Sequence, residues 1–238
     1  MHSYLSKSDL FKGRHFEQEI IVLWVRWYLR YKLSYRDMAE MMADRGLSIS
    51  HTTILRWVQR YASEFDKCWS RFATPAGTSW RVDETYIRIR GNWAYLYRAV
   101  DTSGKTIDFR LSPRRNVASA KAFFRQAVRS QRRSPDTITL DGYAASHRAV
   151  GELQGQGRLP RLTKLRSSKY LNNLIEQDHR NVKSRLGTML GMKSFASTAI
   201  TIRGVELMHR IRKGQFDLRT LATQGQTTSK IWAAVLAA

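Results

Sequence analysis

Three carboxylates occupy positions where chemistry is a better explanation than solubility. Asp83 lies inside Trp80-Arg81-Val82-Asp83-Glu84-Thr85-Tyr86-Ile87, an extended apolar stretch in which an ionised group is costly unless it is paired or bound to a cation. Asp141 closes a short β-branched run and precedes Gly142, at the carboxyl end of a strand, where α/β sheets usually place their sites. Glu176 falls in the first turn of a long helical stretch, Leu171-Asn172-Asn173-Leu174-Ile175-Glu176-Gln177-Asp178-His179. Each has a simpler account: Asp83 paired with a nearby Arg, Asp141 capping a turn, Glu176 complementing a helix dipole. Gathered in one place, three hard oxygen donors suit Mg2+ or Mn2+. Two such ions about 3.5–4 Å apart stabilise the attacking and leaving oxygens of an in-line phosphoryl transfer. Arg180 and Lys183 follow Glu176 by four and seven positions, on one helix face, where they could hold a DNA strand beside the ions or form a solvated basic face.

Bringing these groups together requires a particular set of elements. From residue 80 the pattern is extended: strands over 80–89, 93–100 and 105–112 form an antiparallel meander, with Asp101-Thr102-Ser103-Gly104 as a turn. Helical spacing returns over 116–131, followed by a strand at 137–140, a helix at 144–154, a strand near 162–165 and helices at about 172–186 and 194–213. In that order the first and fourth strands are neighbours, and the helix after the fifth strand carries its glutamate toward both. The expected class is α/β, a mixed sheet flanked by helices, preceded by an all-α domain.

The preceding segment reads as three helices. Ile20, Leu23, Trp24, Trp27 and Tyr31 recur at helical spacing, and Ser34 with Asp37 forms a capping-box-like start to a second helix that ends at Gly46. Ser50 is the expected N-cap of a third helix with the stripe Ile54, Trp57, Val58 and Tyr61. His51, Thr52, Thr53, Arg56, Gln59 and Arg60 stand off that stripe. Two short helices about a Gly-containing turn match a helix-turn-helix whose second helix enters the major groove; a plain three-helix bundle with a polar face fits as well. The expected division is 1–75 helix-turn-helix domain, 76–215 catalytic domain and 216–238 tail, the tail being a docking helix or a disordered end.

Charge favours a polyanionic partner. Of the 238 residues, 41 are Lys or Arg and 19 are Asp or Glu, a formal net charge of +22. Residues 76–215 carry +17 of it, so the larger domain itself is expected to face phosphate. One cysteine, Cys68, excludes an internal disulfide or a thiolate zinc site, and His147 and His179 lack companions at metal spacing. The longest apolar run, residues 20–25, is too short for a membrane span, and no signal peptide is expected after Lys7 and Lys12. No Gly-x-x-x-x-Gly-Lys-Ser/Thr loop is present, so no ATP is implied, and a tyrosine recombinase is excluded because no Tyr follows the His209-Arg210-Ile211-Arg212 element.

The sequence closely resembles the insertion-sequence-six family of transposases, within the DDE transposases and retroviral-type integrases. The resemblance rests on Phe11-Lys12-Gly13-Arg14-His15-Phe16, Trp27 to Tyr31, Leu33-Ser34-Tyr35-Arg36-Asp37, His51-Thr52-Thr53 with Arg56 to Tyr61, Trp80 to Ile87, Tyr95 to Asp101, Lys169 to His179, and Arg212-Lys213-Gly214-Gln215. It implies an RNase H-like catalytic domain behind a helix-turn-helix head, with Asp83, Asp141 and Glu176 as a triad holding two Mg2+ or Mn2+ ions. It further implies recognition of terminal inverted repeats, hydrolytic nicking to expose a 3′-hydroxyl, transfer of that end to target DNA, and replicative cointegrate formation. A homodimer or higher oligomer on DNA, in a bacterial, cytoplasmic and nucleoid-associated setting, goes with it. Gly142 departs from several members of the family, which carry Lys there, so one phosphate contact is either missing or supplied by Arg148 or Lys164. Two alternatives stay open: a DNA-binding regulator with an inert acidic triad, and a nuclease of the same fold without strand transfer.

Overall fold

A computed structural model describes residues 10–168, 173–187, 189 and 192–238; the expected helix start at Asn172 lies outside the described residues. The chain separates into two compact units, one comprising Met1–Thr74, Ser184–Leu190 and Ala196–Ala238, the other Pro75–Lys183 and Gly191–Phe195. The first boundary coincides with the small, turn-forming stretch around Pro75. The second differs from the expected division at 215, because residues 196–238 count with the N-terminal helices.

The second unit is built on a five-stranded sheet in the order β3-β2-β1-β4-β5. Strands β1 (Ser79–Ile89), β2 (Asn92–Val100) and β3 (Thr106–Ser112) form the antiparallel meander, and β4 (Thr137–Leu140) and β5 (Lys164–Ser167) continue the sheet in parallel with β1. The first and fourth strands are neighbours, as expected from the sequence, and the mixed sheet flanked by helices is of the class expected. The β1–β2 hairpin turns on Arg90 and Gly91, both at positive φ (50° and 80°), the conformation of a two-residue type I′ turn whose twist suits the flanking strands. All four residues of β4 are buried, as a central strand covered on both faces requires. β5 is wholly exposed and lies two residues later than expected. The apolar Leu162 that suggested an earlier start is 90% exposed, since an edge strand is set by backbone pairing to β4 rather than by burial.

Helices α4 (Val117–Gln131) and α5 (Ala144–Gly155) cover one sheet face, where Trp80, Val82, Tyr97, Phe123, Phe124, Ile138, Leu140, Val150 and Leu153 form the core. α6 (Asn173–Leu186) turns Ile175, Asp178, His179 and Val182 inward, at i, i+3, i+4 and i+7, and leaves Glu176, Arg180 and Lys183 exposed.

The first unit contains α1 (Gln18–Arg30), α2 (Tyr35–Ala43), α3 (His51–Ser70), nearly all of α7 (Phe195–Arg212) and α8 (Thr228–Ala237). The capping box is present: Asp37 N–H donates to Ser34 Oγ at 3.1 Å and Ser34 N–H to Asp37 Oδ2 at 2.8 Å. Ser50 caps α3 by accepting from Thr53 N–H, and Gly46 takes φ +73° to close α2. The tail contains α8, whose Trp232 is buried against Phe65 and Trp69.

Candidate active site

The parallel pairing of β1 and β4 decides the geometry. Arg81 is level with Thr139, and carrying that register on by two residues brings Asp83 level with Asp141. Asp83, Asp141 and Glu176 all line one cavity of about 590 Å3, together with Arg115, Gly142, Tyr143, Ser167 and Ser168. Glu176 reaches it from the exposed face of α6. Carboxylate oxygens of Asp83, Glu84 and Asp141 lie within 4.8 Å of one another, close enough to share a cation, although Glu84 does not line the cavity itself.

The strand alternation separates the roles of Asp83 and Glu84. Glu84 stands on the core face with Val82 and is already satisfied: Ser146 Oγ donates to it at 2.6 Å and Arg115 Nη2 at 2.9 Å. Burial pushes its carboxyl up, and those two bonds oppose the shift. Asp83 stands on the opposite face, 3.4 Å from His179 Nδ1. Its carboxyl is pushed up from 3.8 to about 7, first by burial and then by the negative charges of Glu84, Asp141 and Glu176, against a backbone hydrogen bond that favours the anion. A carboxylate in this condition lacks a compensating positive charge, and hard oxygen donors so placed fit a divalent ion. His179 is driven down to about 3 by burial and by the Arg98 guanidinium, so it is a neutral imidazole beside Asp83 at ordinary pH.

Asp141 is held at the start of the loop into α5. Tyr143 N–H donates to its Oδ1 at 3.0 Å, and His147 Nε2 lies 2.7 Å from its carbonyl oxygen. Arg115 is the cation of the cavity wall: beyond Glu84, it lies 3.9 Å from Asp141 Oδ2 and packs 3.6 Å from the centroid of the Tyr143 ring. The Tyr143 hydroxyl donates back to the Arg115 carbonyl at 2.8 Å. Partial burial is the largest single influence on the Arg115 charge and opposes it, but the bond to Glu84 and the negative charge of Glu84, with Tyr86 and Tyr143, together raise the pKa.

Beneath the site, Arg98 pairs in register with Asp83 and is fully buried, and its guanidinium meets Asp178 at 2.7 Å. Of the simpler accounts, Asp83 paired with an arginine does not hold among the described residues: the nearest basic side chain recorded for it is His179, and Arg98 engages Asp178 instead. That ion pair ties α6 to β2 two residues beyond Glu176.

Among the expected DNA contacts, Arg180 and Lys183 are exposed on the same helix face as Glu176, and His51, Thr52, Arg56 and Arg60 are exposed on α3, with Thr53 half-buried. Gln59 departs from this set, since its amide donates to the Ser197 carbonyl at 3.2 Å and lies 3.1 Å from Thr201 Oγ1. Arg148, one expected substitute for the missing Lys at 142, pairs with Glu152 at 2.8 Å; Lys164 is exposed on β5. Among the described residues the cation that lines the cavity is Arg115, which no local pattern singles out. Glu84, by contrast, carried a readable signal, a carboxylate at an inward position in step with Trp80 and Val82.

The chain is similar to proteins of a known family. A family profile described as a DDE domain matches residues 77–215. The chain is 37% identical over 205 residues to the transposase for insertion sequence-like element IS431mec of Staphylococcus aureus, covering 86% of this chain and 89% of that protein. The same identity and coverage hold for the transposase for insertion sequence element IS257 in transposon Tn4003 of Staphylococcus aureus. Among solved structures, the HTLV-2 integrase catalytic core domain in complex with magnesium aligns at TM-score 0.45 and 18% identity, covering 67% of this chain and 98% of that one. The catalytic core domain of BIV integrase aligns at TM-score 0.40 and 17% identity, covering 56% and 84%.

Proposed function

Given that this chain belongs to the insertion-sequence-six family of DDE transposases, we propose that it binds the inverted repeats of its element and catalyses 3′-end nicking and strand transfer at Asp83, Asp141 and Glu176. The observation that carries this reading is that these three carboxylates, far apart in sequence, line one cavity. They are the groups that would hold two Mg2+ or Mn2+ ions, Glu84 being engaged by Arg115 and Ser146. Such ions neutralise charge on the phosphoryl group and stabilise the attacking and leaving oxygens of an in-line displacement.

The chain's own residues prepare the site. His179, neutral, stands beside Asp83 on the sheet, and the Asp178–Arg98 pair fixes the helix that presents Glu176. Arg180 and Lys183 offer cations to the DNA backbone from the face of α6 that Glu176 occupies, and phosphate contacts of this kind set register without reading sequence. In the helical domain at 1–75, His51, Thr52, Thr53, Arg56 and Arg60 would meet the repeat from the start of α3. In the first half-reaction a water oxygen attacks the phosphorus, losing its proton to solvent, and the element's 3′-oxygen leaves as hydroxyl; in the second that hydroxyl, giving up its proton, attacks a target phosphodiester, bonds to the target's 5′-phosphate and releases the target's 3′-oxygen as hydroxyl. Joining two ends calls for at least a dimer on DNA, and a cointegrate is the product.

The test is incubation of pre-cut element ends, synthesised from the repeats flanking the gene, with plasmid and Mg2+. Covalently joined product supports the reading. Nicking without joining would mark a nuclease, and DNA-dependent activity untouched by Asp83→Ala, Asp141→Ala or Glu176→Ala would mark a regulator.

A further inference from the structure

The sheet face that bears Glu84 continues past the cavity to the β1–β2 hairpin tip. Glu84 pairs with Tyr97, Tyr86 with Tyr95 and Arg88 with Trp93, so these side chains form successive rungs on one face. The first rung is buried, but Tyr86 is 46% exposed and Trp93 58%. The Tyr86 ring meets Trp93 edge-on at 6.0 Å and Tyr95 at 5.4 Å. Each exposed ring has its own cation: Arg88 lies 5.8 Å from the Trp93 centroid, and Arg115 lies 5.8 Å from that of Tyr86 while donating to its hydroxyl at 3.0 Å.

We propose that Trp93 and Tyr86 form a stacking site for an unpaired nucleobase of the DNA strand whose phosphodiester occupies the adjacent cavity. The inference rests on DNA being the substrate, as argued above. Two features select this occupant. Flat rings alternating with guanidinium groups match the two chemistries of a nucleotide, π-face and phosphate, and stacking on them is indifferent to base identity. The stripe is also continuous with the cavity, because Arg115 touches Tyr86 on one side and approaches Asp141 to 3.9 Å on the other. A strand cut at a base pair gives up stacking there, and a protein ring can replace what the duplex loses.

The experiment uses the full chain with two probes: a blunt DNA duplex, and the same duplex carrying a short single-stranded dT tail that contains 2-aminopurine. Trp93→Ala is expected to weaken binding of the tailed duplex about tenfold, the worth of roughly one stacked base, and to leave the blunt duplex unchanged. The 2-aminopurine, quenched by stacking on the wild-type protein, should stay bright on Trp93→Ala and be largely quenched again on Trp93→Phe. Equal affinity of wild type and Trp93→Ala for the tailed duplex, or equal loss on both duplexes, overturns the proposal. A shift in sedimentation of the DNA-free protein on Trp93→Ala would identify a surface between copies and overturn it too. Failure of the wild type to bind either duplex would bring down the DNA reading itself, whereas normal end-joining by Trp93→Ala with no preference for the tail would sink the stacking site alone.

Discussion

Burial first, and then the charges of Glu84, Asp141 and Glu176, push the Asp83 carboxyl up from 3.8 to about 7. A carboxyl raised in the folded state contributes stability that is full below its unfolded value and is lost as pH climbs through the folded one. The ion-free wild type should therefore lose thermal stability relative to Asp83→Asn between about pH 4 and pH 7, by several degrees in Tm. His179 works in the opposite sense, depressed from 6.5 to about 3, with its contribution full above 6.5 and lost as pH falls toward 3. Mg2+ should restore the wild type near pH 7 and leave Asp83→Asn unmoved. A pH-independent difference between the two proteins in scanning calorimetry would refute this electrostatic picture. At this scale Asp83 was legible from the sequence because an ionisable group interrupts an apolar strand. Arg115 was not, because its neighbours Glu84, Tyr143 and Asp141 come from three other places in the chain and meet it only after folding.

Among the elements, α6 matters most to the chemistry, since one of its faces holds the sheet and the other the cavity. Asp178→Ala would leave the Arg98 guanidinium without its 2.7 Å partner in a fully buried position, a loss expected to cost about 3–5 kcal/mol, read by chemical denaturation. A cost below about 1 kcal/mol would mean that the pair does not anchor the helix. In the helical unit, a Cβ added at Gly204 on α7 would come within 2.6 Å of a Leu29 methyl and 3.1 Å of Ala62 Cβ. Gly→Ala ordinarily stabilises a helix interior by about 1 kcal/mol, but here overpacking is expected to reverse the sign, with about 1–3 kcal/mol lost and DNA nicking unaffected. The helices and the meander were legible because periodicity and caps are local signals; Ser34, Asp37 and Ser50 do what their spacing announced. The position of β5 was not, because none of its four residues is buried and the strand is chosen by its partner β4. Nor was the grouping of residues 196–238 with the N-terminal helices, which depends on contacts such as Trp232 with Phe65 and Trp69 across more than half of the chain.

For the whole molecule, charge is the dominant property. A net +22 predicts that DNA binding is driven in large part by counterion release, with a logarithmic salt slope of roughly −0.9 per phosphate contacted. Affinity for a repeat-bearing duplex should fall by about a thousandfold or more between roughly 50 and 200 mM salt if six or more phosphates are engaged. A flat titration would contradict the phosphate-facing role given to residues 76–215. Family and fold could be read before coordinates because motifs and local patterns carry them: Asp83 interrupts β1, Asp141 follows β4 and Glu176 lies in the first turn of α6, elements whose order places all three on one cavity, whereas Arg115 gains its partners only on folding. The most direct measurement is the rate of Mg2+-dependent nicking of an element-end duplex by the wild type, Glu176→Gln and Glu84→Gln, each shown to be folded by circular dichroism. Loss of about a hundredfold or more for Glu176→Gln, with Glu84→Gln within about tenfold of wild type, is the expected result. Near-normal nicking by Glu176→Gln together with abolition by Glu84→Gln would put the third acidic ligand on β1 and contradict the site described for this protein.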